Sequence, residues 1–367
     1  MITFSVATNF EPNLLEKIAE LNEKHKDKAR IVEVYGSVPG MFLGSCRVKG
    51  QLPVISEEQL KEHIKTSHDF GIKFNYTMNA NISTEFRVER AFRNYFLLPV
   101  LKLNEWGVNS ITVADVSLLN FLLDYTVNHN LPNISPSLVI GIDKLPIIVN
   151  YFKEGITVVM LNQHTVNRNK SLLEEVNNML RGLHDNEFRD KTVSLYANVS
   201  CLNHCPIRDI HYDFLSRVSM LSLPYSTSSV DPFMLWCSDV YLKNPVELLK
   251  SPFIRPEDTE YYGQFGITHF KLSDRREPTD ALVELYDAYM TGEFHGNLFD
   301  LLFRSGRKWT NAVHGCSHAH IDIPNIHIDN NKLTEMRFIE NVMSLKGEDL
   351  QAFYIQATKR AVRIEMI

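Results

Sequence analysis

Gly266-Ile267-Thr268-His269-Phe270-Lys271-Leu272 is the run on which the fold turns, because it supplies the last strand of a series. It reads as a strand followed by a helix over Thr279–Tyr289, and that pair is the repeating unit of the chain: a short β-branched run, a polar turn, then an amphipathic helix. Behind it lies an irregular stretch, about Ser219–Phe265, rich in Pro, Ser and aromatic residues. With this run counted the units number eight, which implies a closed (β/α)₈ TIM-like barrel; an open doubly wound sheet with an irregular tail is the alternative. Closure is favoured because no Gly-rich phosphate loop follows the first strand.

Working back toward the N-terminus, the other seven strands are expected at Ile2–Thr8, Arg30–Tyr35, Ile72–Thr77, Ser110–Val113, Ser137–Ile140, Thr157–Leu161 and Val193–Val199. Leu14, Leu15, Ile18 and Leu21 recur at helical spacing after the first. Ser56 with Gln59 is a capping box for a helix through His68, closed by Gly71. A long helix is expected across Glu85–Trp106, kinked or split at Pro99. Toward the C-terminus the unit pattern stops beyond Gly296, leaving a strand at Ile326–Ile328 and a helix near Leu333–Met343. The expected organisation is a barrel over 1–295, including the insertion 219–265, with an extension over 296–367 packed on it.

At 367 residues the chain can bury a large core, and its 44% hydrophobic and 22% charged residues are ordinary for a globular enzyme. A net charge of −6 argues against a nucleic-acid partner and for a small-molecule or carrier-bound substrate. No run approaches the roughly 20 apolar residues of a membrane span, so no membrane insertion is expected. The first residues lack the pattern of a signal peptide, so the expected location is cytoplasmic. Five cysteines, at 46, 201, 205, 237 and 316, point to free thiols or metal ligands rather than a disulfide scaffold.

The richest stretch is Asn198-Val-Ser-Cys201-Leu-Asn-His-Cys205-Pro206-Ile-Arg208-Asp209-Ile-His211-Tyr212. Two thiols four residues apart stand between a strand end and a helix start, where the helix N-terminus stabilises thiolates. A barrel presents its chemistry on that face. Cys237 lies in the insertion that must fold back over it. Soft thiolates suit zinc or an iron–sulfur cluster, and spacing does not separate the two. A radical enzyme built on S-adenosylmethionine needs a third cysteine where this chain has Arg208. Cys201 and Cys205 can also be merely packed, one helical turn apart.

His314-Gly-Cys316-Ser-His318-Ala-His320 places three histidines at alternating positions, on one face if the segment is a strand, with His327 further on. It reads as a metal site of its own, as a source of one more thiol ligand at Cys316, or as a polar loop. Cys46, at the rim of the second strand, competes as that ligand. Asn162 and Asn198 end strands and suit substrate contacts, although such residues also form ordinary turns. Lys271 and Arg275 follow the last strand and suit a carboxylate, Arg by a bidentate pair. Arg208 and His211 stand on the helix after Cys201, where they can anchor substrate or tune a cluster.

The run Cys201–Tyr212 resembles the cluster-binding segment of the collagenase-like peptidase family. So do Lys250-Ser-Pro-Phe-Ile-Arg255-Pro256-Glu257-Asp258, Tyr261-Tyr262 and Gly266–Leu272, with support from Val34–Gly40, His295–Leu302 and Ile328–Leu333. The resemblance implies a barrel and a cluster of the 4Fe-4S type held by four cysteines. It also implies kinship with proteins of oxygen-independent hydroxylation in ubiquinone synthesis and RNA modification, where prephenate is implicated as the oxygen source. Carried over by motif, Cys201, Cys205 and Cys237 would be three ligands. Relatives often have cysteines near the extreme C-terminus, whereas none follows Cys316 here. Hence Cys316 or Cys46 is the fourth ligand, or the iron has an open site, or the cluster has been lost. The resemblance also implies that Arg255 and Glu257 shape the pocket; physically, Pro256-Glu257-Asp258 equally reads as a helix start.

Three function classes follow. The leading expectation is an iron–sulfur redox enzyme or enzyme component, hydroxylating an organic substrate without oxygen from a prephenate-like donor. The second is a metal- or cysteine-dependent peptidase, although the chain has no His-Glu-x-x-His, no Gly-x-Ser-x-Gly and no evident Cys–His pair. The third is a non-catalytic substrate-binding partner of a biosynthetic enzyme, which would engage another protein.

Overall fold

Eight short parallel strands alternate with helices in a computed structural model that describes residues 1–39, 44–48, 52–81, 90–126, 129–184, 188–220, 231–303 and 325–365. The strands are β1 (Ile2–Ala7), β2 (Ala29–Gly36), β3 (Lys73–Met78), β4 (Ser110–Val113), β5 (Asn133–Pro136), β6 (Val158–Met160), β7 (Thr192–Tyr196) and β8 (His269–Leu272). Their order, β5-β4-β3-β2-β1-β8-β7-β6, is that of a barrel cut between β5 and β6. A single parallel bridge between Ile142 and Leu161, with Asn162 N–H donating to the Ile142 carbonyl at 2.8 Å, spans that seam. The sheet is therefore a nearly closed (β/α)₈ barrel, and the 266–272 run closes it by pairing β8 with both β1 and β7.

Each strand turns large apolar side chains such as Phe4, Phe74, Ile111 and Phe270 toward the helices, all fully buried. The barrel interior is polar. Glu33 accepts from Ser5 and Asn75 on one oxygen and from Ser110 on the other, at 2.9–3.2 Å. Ser5 also meets His269, and Thr112 donates to Asn75. Neighbouring strands are thus stitched by side chains below the level of the strand ends.

Several local expectations need correction. The fifth strand lies at Asn133–Pro136 rather than Ser137–Ile140, because Ser137 caps a 3₁₀ turn that Gly141 ends in the left-handed region at φ 74°. Asn133–Pro136 has a single buried apolar residue, Ile134, before its proline, a far weaker strand pattern than the apolar Leu138–Ile140 run that follows. The Arg90–Glu105 helix runs through Pro99 without splitting: proline forfeits one ladder bond, while buried Phe96, Val100 and Leu103 hold both sides of it. The helix expected near Leu333–Met343 is two, Asn330–Glu335 and Phe338–Ser344, separated where Arg337 adopts φ 49°.

The insertion holds the helices Pro232–Lys243 and Val246–Lys250 and a 3₁₀ segment over Pro256–Phe265. Past the barrel, β9 (Asn325–Ile328) pairs antiparallel with β10 (Val362–Glu365). The C-terminal helices dock through Phe338, stacked on Phe253 with centroids 6.0 Å apart, and through Arg168 beneath both rings. Among the described residues no helix is long and apolar enough to cross a membrane.

Candidate functional site

The C-terminal strand ends open into a cavity of about 260 Å³, near the lower end of the usual range for small-ligand pockets. Each wall comes from a short polar stretch that the barrel leaves at its rim. Tyr35 ends β2, Tyr196 ends β7 and Lys271 stands on β8, in register with Tyr196 and with Ser5 of β1. Asn198 joins β7 to the loop after β8: its Nδ2 donates to the Ser273 carbonyl at 2.6 Å and its Oδ1 accepts from Ser273 N–H at 2.8 Å. The insertion forms the roof through Asp231, Cys237 and Tyr241, whose hydroxyl donates to the Ser200 carbonyl at 3.0 Å.

Positive charge dominates the lining, with five cationic side chains (Arg47, Arg208, Lys271, Arg275 and Arg276) against the carboxylates of Asp231 and Asp274. Burial lowers Arg275 to about 10, helped by Arg47 nearby, although Tyr35 opposes the shift. Its Nη1 donates to Ser37 and Thr77 hydroxyls at 2.6 and 3.0 Å, neutral partners that leave its charge uncancelled. Burial also lowers Lys271 to about 8, against Glu33 and with Arg275 and Arg47. Its Nζ lies 3.8 Å from the Tyr35 ring centre. Buried cations that repel one another select for an anion in their midst.

His211, on the Arg208–Met220 helix, places Nε2 2.8 Å from Asp231 Oδ2 and stacks on Phe233. Asp231 is buried and also caps the Pro232–Lys243 helix through Phe233 and Met234 N–H. The carboxylate thereby fixes the ring's orientation. Arg208 also lines the cavity, but its Nη2 donates to the Leu138 and Val139 carbonyls, tying the helix to the turn after β5.

All four described cysteines, Cys46, Cys201, Cys205 and Cys237, line this cavity. Burial, then the neighbouring Cys205, raises Cys201 to about 11, and burial with Cys201 and Cys205 raises Cys237 to about 12. Cys205 is raised as well, burial outweighing its contact with the Ile207 backbone. Burial and the crowding of the sulfurs favour the neutral thiols.

By softness and number, Cys201, Cys205 and Cys237 suit three corners of a cluster or three zinc ligands. Cys46 stands apart from them, its Sγ donating to the Asn79 carbonyl at 2.9 Å and lying 3.5 Å from Ser216 Oγ. Cys316, His314, His318 and His320 lie outside the described residues. Among the described residues, no three His, Cys, Asp or Glu side chains are grouped so as to hold an ion.

Three expected site residues lie away from the cavity lining. Asn162 caps the short Gln163–Val166 helix through His164 N–H. Arg255 is buried in a bidentate pair with Asp258, at 2.9 and 2.7 Å, and reaches Asn330 and Thr334 of the C-terminal helices. Glu257 accepts from Phe294 N–H and Asn330 Nδ2, both at 2.6 Å. The Arg-Pro-Glu-Asp motif thus fastens the extension to the barrel instead of shaping the pocket. Sequence reasoning did not select Arg47, Tyr35, Tyr196 or Asp231. Tyr35 and Tyr196 were detectable as polar-tipped residues at strand ends, and Asp231 as a cap before Pro232; Arg47 carried no signal beyond its place beside Cys46.

No family model matches the chain. It is 25% identical over 290 residues to an uncharacterized protease of Methanocaldococcus jannaschii, covering 79% of this chain and 80% of that one, a distant homology. Among solved structures it is similar to the U32 peptidase Mk0906, with a TM-score of 0.45 and 12% identity over 76% of this chain and 94% of that chain. It is also similar to tryptophan synthase from M. tuberculosis, with a TM-score of 0.39 and 9% identity over 79% and 92% of the two chains. The hydroxylase and RNA-modification side of the resemblance has no counterpart among these relatives.

Proposed function

We propose that this chain is a hydrolase acting on peptides that end in a free carboxylate, with the strand-end cavity as its active site. The observation that carries the reading is the excess of cations in the lining: Lys271 and Arg275 would hold the carboxylate, with Arg47 beside them. The distant homology to a protein named as a protease supports the peptide half. In this reading water attacks the peptide carbonyl, His211 held by Asp231 takes the proton, and the cations face the oxyanion. The C–N bond then breaks and the amine leaves with that proton. The raised thiols argue against a cysteine nucleophile, which must be thiolate to attack.

The test is hydrolysis of a tripeptide library as free acids and as C-terminal amides, by the wild type and by His211→Asn. The reading expects cleavage of the acids, a preference over the amides of tenfold or more, and loss of at least a hundredfold in the variant. No cleavage, or equal cleavage of acids and amides, would overturn it.

A second reading is favoured by three thiols that line the same cavity, Cys201 and Cys205 after β7 and Cys237 in the roof. Cys201, Cys205 and Cys237 would hold an iron–sulfur cluster, or zinc, whose negative ligands are deprotonated by the bound cation. A cluster would supply electron transfer for the oxygen-independent hydroxylation of a carboxylate substrate. Iron and sulfide counts with electron paramagnetic resonance on anaerobically purified wild type and Cys201→Ala decide it. A cluster signal lost in the variant supports this reading, and a preparation free of iron and zinc sinks it.

A further inference from the structure

Lys271 is the one cavity cation of the described residues that has neither a hydrogen bond nor an ion pair; Arg276 reaches Asp274 through Nε at 4.0 Å. The Lys271 ammonium lies over the face of Tyr35, 3.8 Å from the ring centre. The carboxylate that senses it, Glu33, already accepts three hydrogen bonds from Ser5, Asn75 and Ser110. Arg275 is anchored on Ser37 and Thr77, and Arg47 on the Cys46 carbonyl at 2.7 Å, so both guanidinium groups are fixed while the amine is not. Lys271 stands on a central strand, paired on both sides, which holds the amine on rigid backbone.

We infer that Lys271 has a covalent role, its amine condensing with the ketone of a 2-oxo carboxylate whose acid group rests against Arg275 and Arg47. This second activity of the cavity rests on the carboxylate half of the reading above and not on the peptide half. The neutral amine adds to the carbonyl carbon, forming a C–N bond and a carbinolamine. The nitrogen loses its proton, the hydroxyl leaves as water, and a C=N bond remains; no oxidant or reductant is consumed. Only the neutral amine attacks. A lysine lowered to about 8 by burial and by two guanidinium neighbours is half neutral at pH 8. An exposed lysine has roughly one neutral amine in a few hundred there. Desolvation beside another cation is the means by which amine nucleophiles are activated.

The experiment incubates wild type, Lys271→Arg and Lys271→Met with pyruvate or 2-oxoglutarate at pH 8. Borohydride then reduces any imine to a stable secondary amine, which peptide mass spectrometry locates. Calorimetry measures binding of the same acids and of lactate and 2-hydroxyglutarate, which carry the carboxylate but no ketone. The expected result is one dominant adduct, on Lys271, with binding but no adduct for the hydroxy acids. Lys271→Arg, whose guanidinium cannot form the imine, should lose the adduct. Binding of oxo and hydroxy acids with no adduct on Lys271 would overturn the imine and leave the carboxylate reading standing. No binding of any acid would overturn both. Adducts spread over surface lysines, equal in wild type and Lys271→Arg, would also refute the inference.

Discussion

Replacing Arg255 separates two accounts of the Arg-Pro-Glu-Asp motif. The guanidinium is 2% exposed and makes two hydrogen bonds to Asp258, with further ones to Asn330 and Thr334 across the junction with the C-terminal helices. Arg255→Met keeps the volume but leaves the Asp258 carboxylate, itself 2% exposed, without its counter-ion. Removing one partner of such a buried pair costs about 3–5 kcal/mol. At roughly 2 °C per kcal/mol for a large chain, the midpoint of thermal unfolding should fall by about 6–10 °C. The double variant Arg255→Met/Asp258→Leu removes the stranded charge and should recover at least half of the loss. The assay is urea unfolding followed by circular dichroism, with carboxylate binding measured on the folded variants. A loss below about 1 kcal/mol, or a variant of unchanged stability that no longer binds ligand, would refute the structural role and return Arg255 to the pocket.

Other consequences follow from burial. His63, His164 and His269 are each held down at about 4 by desolvation, against 6.5 when exposed, so the unfolded chain binds protons that the folded one does not. Their contribution is complete above pH 6.5 and is lost as pH falls toward 4. Stability should drop by about 1 kcal/mol per histidine per pH unit in that window, and His63→Gln should flatten the slope measured by urea titration. Cys201, raised from 9.0 to about 11, should react with iodoacetamide at pH 7.5 about a hundredfold more slowly than an exposed thiol. Mass spectrometry that found it alkylated at the ordinary rate would contradict the burial argument. Asn198→Ala removes both side-chain bonds to the Ser273 backbone, leaving Ser273 only its hydroxyl contact with Tyr196, and should cost about 1–3 kcal/mol while weakening anion binding through the displaced loop. A change confined to stability would separate Asn198 from the site.

The barrel was legible because each unit repeats one pattern, and the 266–272 run completed it even though the strand proper is only His269–Leu272. The fifth strand was misplaced because an apolar 3₁₀ turn directly follows a short strand. Period and length cannot order two such runs. Within the site, residues on or just after strands were readable: Asn198, Lys271, Arg275 and the four described thiols reach the cavity. The roles of Arg255 and Glu257 were not, since pairing with Asp258, Phe294 and Asn330 depends on contacts up to 75 residues apart. The polar barrel interior around Glu33 was hidden for the same reason, because its partners come from three other strands.

The central claim is that the cationic strand-end cavity takes a carboxylate, and calorimetric titration tests it most directly. Wild type and Arg275→Met would be titrated with one tripeptide as its free acid and as its amide. The account predicts that the wild type binds the acid at least tenfold more tightly, a difference of about 1.4 kcal/mol, and that the variant loses most of this preference. Equal affinity of the wild type for acid and amide would contradict it.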